Sequence, residues 1–195
     1  MCHYCRQGDG NGTFTRLGRG VRVVMEVRAA VLALGSNLGD RQDILQGGVD
    51  AIAGIEGVRL TGVSPVYETV PVGGPPQPDY LNAVVLAGTT LPPGELLDRL
   101  HEIEAAFDRV RVVHWGPRTL DIDIITVAGE RSSDPELTLP HPRAHERAFV
   151  LAPWHDIDPA AELPGYGPVA DLLGGLDATG IRRSKVTLDL PPGAS

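Results

Sequence analysis

The chain has almost no lysine. Lys185 is the only lysine among 195 residues, so arginine supplies nearly all of the basic charge. The sequence also contains no Gly-Lys-Ser or Gly-Lys-Thr, which excludes a phosphate-binding loop of the Walker type. Any phosphate group that the protein binds must therefore be held by arginine, by a metal ion or by backbone amides.

Cysteine, long apolar runs and excess positive charge are scarce as well. Cys2 and Cys5 are the only cysteines, which excludes a disulfide scaffold and fits a reducing cytoplasm. No apolar run is long enough to span a membrane, and the N-terminus lacks the apolar core of a secretory signal. Because the formal net charge is -8, a nucleic-acid-binding surface is not expected. These features predict a cytoplasmic protein that binds neither nucleic acid nor membranes.

Composition divides the chain into three parts. Residues 1–28 are rich in glycine and arginine and lack apolar periodicity, so we expect a flexible extension. A transit peptide, or a natural start at Met25, would also explain this segment. Residues 29–180 are expected to form one folded domain, and residues 181–195 a C-terminal tail with a short strand over 186–190.

The pattern of apolar residues predicts an α+β fold. The order of elements is strand, helix, strand, strand, helix, strand, which is typical of a ferredoxin-like βαββαβ core with an antiparallel sheet covered by helices. A short helix is expected over 144–151, beyond this core. The strands are predicted over 30–34, 58–68 (interrupted near Pro65), 80–87 and 120–125, and the helices after Asp40 and after Pro92-Pro93-Gly94.

Two aspartates on the last predicted strand are the strongest functional signal. Asp121 and Asp123 share one face of the strand, while Leu120, Ile122 and Ile124 share the other. Aspartate is poorly suited to strands, so the pair needs a reason. Residues two apart in a strand lie about 6.6 Å apart and point the same way. Both carboxylates can therefore reach one or two divalent cations.

Clustered arginines precede this strand. Arg109, Arg111 and Arg118 supply permanent positive charge, and Gly116-Pro117 directs the chain into the strand. Magnesium held by carboxylates beside arginines is the usual equipment for phosphoryl transfer. A simple solvated strand edge is the alternative for an isolated Asp-x-Asp, but it does not account for the arginines.

Two other functions use similar features. In glycosyltransferases an Asp-x-Asp sequence binds magnesium on a nucleotide-sugar, although these enzymes usually need a larger nucleotide-binding layer than this chain offers. A ferredoxin-like regulatory module would bind a ligand without turning it over, but it has little use for paired aspartates beside three arginines.

Four sequence blocks follow one another along the chain: Leu34 to Gly39, Tyr67 to Ala83, Arg109 to Asp123, and Leu139 to Phe149. Together they resemble the 6-hydroxymethyl-7,8-dihydropterin pyrophosphokinases of folate biosynthesis, and the resemblance extends from residue 30 to about 165. It implies transfer of a diphosphoryl group from ATP to the hydroxymethyl oxygen of the pterin, with release of AMP. The implied enzyme is often monomeric.

The resemblance also implies roles for individual residues. Asp121 and Asp123 match the ligands of two magnesium ions, and Arg109 and Arg118 match the arginines that neutralise the transferring phosphates. Asp121 also falls in the pterin pocket. The residues that match ATP contacts are Glu104, Arg111, Trp115, Ile124, Thr138, His141 and Arg147. The other residues that match pterin contacts are Thr69, Val70, Val72, Tyr80, Asn82 and Phe149.

The chemistry of these residue types fits a pterin, which is flat and conjugated. Two aromatic faces offer stacking, and the Asn82 amide offers directional hydrogen bonds. Tyr80 and Phe149 could instead be core residues, Asn82 a strand-end cap and His141 a turn histidine. The chain departs from the family pattern at Asp108, His114, His101 and Glu136, which stand where other residues are common.

Overall fold

The computed structural model describes residues 26–71, 76–107 and 119–192. Apart from its last three residues, the predicted N-terminal extension lies outside the described residues. The last of them, Arg28, already begins the first strand.

An antiparallel sheet forms the centre of the molecule. Strand β1 (Arg28–Ser36) lies between β4 (Tyr80–Thr89) and β5 (Asp121–Val127). The other edge of β4 pairs with β2 (Val58–Val63) and then with β3 (Tyr67–Thr69). The predicted strand over 58–68 is therefore two strands, broken around the proline at position 65, which has no N–H to donate. The predicted α+β class with an antiparallel sheet is confirmed.

Helices α1 (Arg41–Ala53) and α2 (Pro93–Ala106) cover one face of this sheet. The Asp40 side chain caps α1 by accepting a hydrogen bond from the Asp43 N–H at 3.2 Å, as expected from the sequence. The apolar side of both helices packs against alternate residues of the strands. The fully buried side chains of this layer include Leu32, Leu34, Leu45, Val49, Ile52, Leu96 and Leu100.

Helices α3 (Ala148–Ile157) and α4 (Val169–Gly174) cover the opposite face. Val150, Leu151 and Trp154 of α3 pack with the residues of the strands that point the other way, such as Val31 and Val84. The predicted helix over 144–151 is divided, because Arg147 has an extended backbone (φ -107°, ψ 92°). A 3-10 turn, Ala144–Glu146, therefore precedes α3.

The C-terminal part of the chain returns to the sheet. Strand β10 (Ile181–Arg183) pairs with β3 at the edge of the sheet, so the prediction of a strand over 186–190 is wrong. The alternating Val186 and Leu188 pack against the core beside α1 and do not pair in the sheet. Two short strand pairs complete the fold: β6 (Ser132–Ser133) with β7 (Thr138–Leu139), and β8 (Glu162–Leu163) with β9 (Gly167–Pro168). No helix in the described ranges is both long and apolar enough to cross a membrane.

Candidate active site

A row of three residues crosses the sheet on the face that carries α3. Asn82 of β4 pairs with Gly35 of β1, and Gly35 pairs with Asp121 of β5. Paired residues in neighbouring strands present their side chains to the same face. A Cβ atom at Gly35 would lie 3.1 Å from Asn82 Oδ1 and 3.9 Å from Tyr80 Cδ1. Because Gly35 has no side chain, the surface of the sheet is flat between the Asn82 amide and the Asp121 carboxylate. We call this flat surface at Gly35 the floor of the site.

The Asn82 amide is fixed by a buried hydrogen bond. Asn82 Nδ2 donates to Thr69 Oγ1 at 2.8 Å, and both residues are buried. Asn82 is the third residue of β4, so it does not cap the end of the strand. Because Nδ2 is engaged by Thr69, the amide presents Oδ1 towards Gly35. The Asn82 carbonyl oxygen is therefore a hydrogen-bond acceptor with a fixed position beside Gly35.

Two aromatic side chains, of Tyr80 and Phe149, lie on the same face of the sheet as this row. Tyr80 begins β4 and donates a hydrogen bond from its hydroxyl to Gln77 Oε1 at 3.3 Å. Phe149 lies in the first turn of α3, and the Arg147 guanidinium carbon is 5.6 Å from the centre of its ring. Both aromatic residues are partly exposed, unlike the fully packed Trp154. Each therefore has surface available for a ligand.

The side chains of Asp121 and Asp123 lie on one face of β5, as the alternation of the sequence predicts. Asp121 and Asp123 are partly exposed on the α3 face, while Ile122 and Ile124 are buried on the α1 face. Ile124 is 4% exposed, so any contact it makes with a ligand is limited to its main chain. The alternation of β5 thus places two acidic side chains at the end of the row that begins at Asn82.

Arg147 and His141 surround the second carboxylate. Arg147 Nη1 donates a hydrogen bond to Asp123 Oδ2 at 2.9 Å, and His141 Nε2 lies 3.8 Å from the same oxygen. The His141 backbone N–H donates to the Ile125 carbonyl at 2.8 Å, which fixes this turn to β5. Burial is the main cause that lowers the pKa of His141, and the charge of Arg147 acts in the same direction against that of Asp123. The imidazole is therefore neutral at pH 7.

Glu104 supports the carboxylate strand from the opposite face. It is 1% exposed, and its Oε1 accepts a hydrogen bond from the Ile122 N–H at 2.9 Å. This contact holds the backbone between Asp121 and Asp123.

Thr138 is partly exposed and donates its hydroxyl hydrogen to the Asp134 carbonyl at 2.9 Å.

The structure brings together only part of the predicted site. Thr69, Tyr80, Asn82, Asp121 and Asp123 lie on one face of the sheet, with Phe149, His141 and Arg147 on the segments beside it. Val70 follows β3 and is 53% exposed. The remaining predicted residues, Val72, Arg109, Arg111, Trp115 and Arg118, lie outside the described residues.

Sequence reasoning assigned no role to Gly35. A glycine in the interior of a strand often marks a place where a ligand approaches the backbone, and this signal was available. Its position between Asn82 and Asp121 follows only from the strand pairing.

The carboxylates of Asp121 and Asp123 are suitable ligands for magnesium when a polyphosphate is bound beside them. In residues 26–71, 76–107 and 119–192, no three His, Cys, Asp or Glu side chains form a group that could hold a metal ion. Magnesium, however, is usually bound through one or two carboxylates together with water and substrate phosphates. Asp121 and Asp123 provide two carboxylates and leave the other positions to such ligands.

Comparison with known proteins identifies the family. Residues 31–159 match the model of the 7,8-dihydro-6-hydroxymethylpterin-pyrophosphokinase family. The chain is 44% identical over 154 residues to a 2-amino-4-hydroxy-6-hydroxymethyldihydropteridine pyrophosphokinase of Methylorubrum extorquens, covering 79% of this chain and 97% of that protein. The chain belongs to this family. It is also 44% identical over 176 residues to the Mycobacterium tuberculosis protein of the same name, covering 82% of this chain and 92% of that protein.

Membership of this pyrophosphokinase family confirms the resemblance predicted from the four blocks. The family's reaction is the transfer of a diphosphoryl group from ATP to hydroxymethyldihydropterin in folate biosynthesis, so the predicted enzyme class and function are confirmed.

Solved structures agree in fold. A structure of Plasmodium falciparum HPPK-DHPS with pterin and p-hydroxybenzoate superposes with a TM-score of 0.60 at 15% identity, covering 76% of this chain. Our chain spans 42% of that longer chain, and at this identity the likeness concerns the fold alone.

Proposed function

We propose that the row from Asn82 to Asp121 binds 6-hydroxymethyl-7,8-dihydropterin and presents its hydroxymethyl oxygen to ATP held at Asp123. The pterin oxygen would form a bond to the β-phosphorus of ATP and lose its proton. The bond from that phosphorus to the oxygen bridging to the α-phosphate would break, and AMP would leave. The observation that carries this assignment is the register Asn82–Gly35–Asp121, which places an amide, a flat floor and a carboxylate in line.

At the pterin end, the chain offers recognition of both the edge and the faces of the ring. The Asn82 amide, held by Thr69, would hydrogen-bond to the ring edge. Tyr80 and Phe149 would stack on its faces, and Val70 and Val72 would line the side. Gly35 would allow the ring to lie close to the sheet. Asp121, at the far end of the row, would then lie near the hydroxymethyl group.

At the phosphate end, Asp121 and Asp123 would hold two magnesium ions. When bound, the ions would neutralise phosphate charge and ease deprotonation of the pterin hydroxyl. Arg147, 2.9 Å from Asp123, would contact phosphate oxygens beside that carboxylate, and the neutral His141 next to it would donate or accept a hydrogen bond.

Other residues would complete the nucleotide site. Arg109 and Arg118 would neutralise the transferring group, because the planar guanidinium stays charged and can bind two oxygens at once. Further nucleotide contacts are assigned to Arg111, Trp115, Ile124, Thr138 and His141, while Glu104, which the sequence also assigned to the nucleotide, would act from the opposite face without touching it. The burial of Glu104 points to a role in holding β5 for the nucleotide. We propose a cytoplasmic enzyme that acts as a monomer on these two small molecules.

Product analysis tests this assignment. Incubation with ATP, Mg²⁺ and hydroxymethyldihydropterin should release AMP and pterin diphosphate in equal amounts, and a chelator should stop the reaction. Release of ADP would mean transfer of a single phosphoryl group and would contradict the proposal. Binding of both substrates without AMP would indicate a regulatory module. Magnesium-dependent binding of a nucleotide-sugar would favour a glycosyltransferase.

Replacing Gly35 with alanine should weaken pterin binding. The new Cβ would lie 3.1 Å from Asn82 Oδ1, so either the amide must move or the ring must rise from the floor. We expect the KM for pterin to rise about tenfold or more, the scale of an overpacked contact, while the KM for ATP changes little. Gly174→Ala in α4 is the matched control, since a Cβ there meets no atom within 4 Å. An unchanged KM for pterin in Gly35→Ala would remove Gly35 from the pocket.

A further inference from the structure

We propose that Glu68 and Arg182 are positioning residues for the pterin pocket and act from the opposite face of the sheet. This inference rests on the proposed pterin site, and it gives a role to the C-terminal strand, which lies beyond the residues 31–159 that match the family model. Neither side chain touches the row that would bind the pterin.

Two arginines link the ends of two neighbouring strands. Arg41 Nη1 donates to Glu68 Oε1 at 3.1 Å and to the Asp79 carbonyl at 2.7 Å. Arg182 Nη2 donates to Glu68 Oε2 at 2.7 Å and lies 3.6 Å from Asp79 Oδ2. Each arginine therefore contacts both residue 68 and residue 79. We call Arg41, Glu68, Asp79 and Arg182 the arginine clamp.

The arginine clamp is next in sequence to two proposed pterin contacts. Glu68 precedes Thr69, and Asp79 precedes Tyr80. Thr69 and Tyr80 form the last pair of the β3–β4 ladder. The end of a ladder has no further pair to hold it, so it opens more readily than the middle. A clamp across residues 68 and 79 opposes this opening.

Separation of Thr69 from Tyr80 would disturb the Asn82 amide, which is the proposed contact of the pterin edge. Thr69 Oγ1 accepts the hydrogen bond that fixes the Asn82 side chain. If Thr69 moved with the end of β3, Asn82 would lose the partner that orients its Oδ1 towards the floor. The arginine clamp would thus affect pterin affinity through Thr69 and Asn82, without contact with the ligand.

The side chains of the clamp lie on the α1 face. Successive residues of a strand point to opposite faces. Tyr67 donates its hydroxyl hydrogen to Asp156 of α3 at 2.9 Å, whereas Glu68 meets Arg41 of α1. The clamp can therefore be altered while the pterin-facing side of the sheet keeps all of its residues.

Strand β10 is held firmly enough to carry Arg182. The Val70 N–H donates to the Gly180 carbonyl at 3.2 Å, and the Ser184 N–H donates to the Val66 carbonyl at 2.8 Å, which extends the β10–β3 pairing at both ends. Further along, the Gln46 side chain forms two hydrogen bonds with the backbone of Asp189, at 3.0 and 2.8 Å. The strand is thus fixed on both sides of Arg182.

Glu68 connects the two arginines of the clamp. Each of its two carboxylate oxygens accepts from a different arginine, and its side chain is 20% exposed, against 64% for Arg182. Burial raises the pKa of Glu68, but the hydrogen bonds and charges of Arg182 and Arg41 outweigh it and hold the pKa below its ordinary value. The carboxylate is therefore charged at neutral pH.

Steady-state kinetics of the full-length chain test this inference. The variants are Glu68→Gln, Arg182→Gln and the double variant, with AMP release measured against both substrates. Arg182→Gln removes the ion pair with Glu68 and should raise the KM for pterin about fivefold. Glu68→Gln removes this pair and the pair with Arg41, so its KM for pterin should rise at least as much. The kcat and the KM for ATP should stay within about twofold of the wild type. The double variant should show little further rise, because the two residues act as a unit.

Arg183→Gln is the matched control. Arg183 is the next residue of β10 and is 63% exposed, but it faces Asp156 at 3.7 Å and not the clamp. Its KM for pterin should equal that of the wild type. An unchanged KM for pterin in Glu68→Gln would overturn the inference. So would a fall in kcat and Tm together with a rise in both KM values, because that pattern indicates general destabilisation. A wild-type chain that releases no AMP would instead refute the proposed function.

Discussion

Replacing Asp121 or Asp123 with asparagine should reduce AMP release by at least about 10³-fold. Asparagine has nearly the same shape but no charge, so it is a far weaker ligand for magnesium. Both side chains are partly exposed on the α3 face, and the hydrophobic side of β5 is unchanged. The fold should therefore persist. Asp123→Asn also weakens the contact with Arg147, which at this exposure contributes only about 1 kcal/mol or less to stability.

Thermal unfolding and turnover measured on the same samples separate these effects. The Tm of both variants should stay near that of the wild type, while the rise in Tm caused by Mg²⁺ with a non-hydrolysable ATP analogue should largely disappear. Asp50→Asn is the control, because Asp50 is exposed on α1 at the other face of the sheet. Near-normal turnover in Asp121→Asn and Asp123→Asn would show that these carboxylates do not hold the reactive metal ions.

Replacing Arg118 with alanine should slow diphosphoryl transfer by about 10³-fold or more, by analogy with the arginines that stabilise transferring phosphates in other enzymes. Two aspartates add negative charge next to a polyphosphate that is already strongly anionic. Arg147 balances part of this charge, since it pairs with Asp123. Further cations are needed at the transferring group, and the segment that contains Arg109, Arg111 and Arg118 immediately precedes the carboxylate strand.

Single-turnover measurements test the role of Arg118 most clearly, because they report the chemical step without product release. Arg118→Lys should recover part of the rate, since it restores charge but not the two-pronged contact of a guanidinium. Arg59→Ala, at an exposed position in β2, should leave the rate unchanged. A loss confined to the KM for ATP, with the single-turnover rate intact, would assign Arg118 to nucleotide binding alone.

The parts of the site that depend on local alternation could be predicted from the sequence. The period-two pattern of β5 placed Asp121 and Asp123 on one face and the isoleucines on the other, as the structure has them. The N-cap of α1 at Asp40 could also be predicted, because a helix cap depends only on residues that are neighbours in sequence. The break of one predicted strand near Pro65 could be anticipated from proline chemistry.

The parts that depend on contacts distant in sequence could not be predicted. The alignment of Asn82, Gly35 and Asp121 is a matter of strand register, which no local pattern encodes. The burial of Glu104 against Ile122 requires the packing of α2 on β5. The pairing of β10 with β3 joins residues more than a hundred positions apart, and the alternating apolar residues after it suggested a strand in the wrong place.

A crystal structure with Mn²⁺, a non-hydrolysable ATP analogue and hydroxymethyldihydropterin would test the central assignment most directly, since the anomalous signal of manganese locates the ions. Peaks within about 2.1 Å of carboxylate oxygens of Asp121 and Asp123, each also touching phosphate oxygens, are the expected result. Manganese bound to the nucleotide alone, with neither aspartate as a ligand, would contradict it.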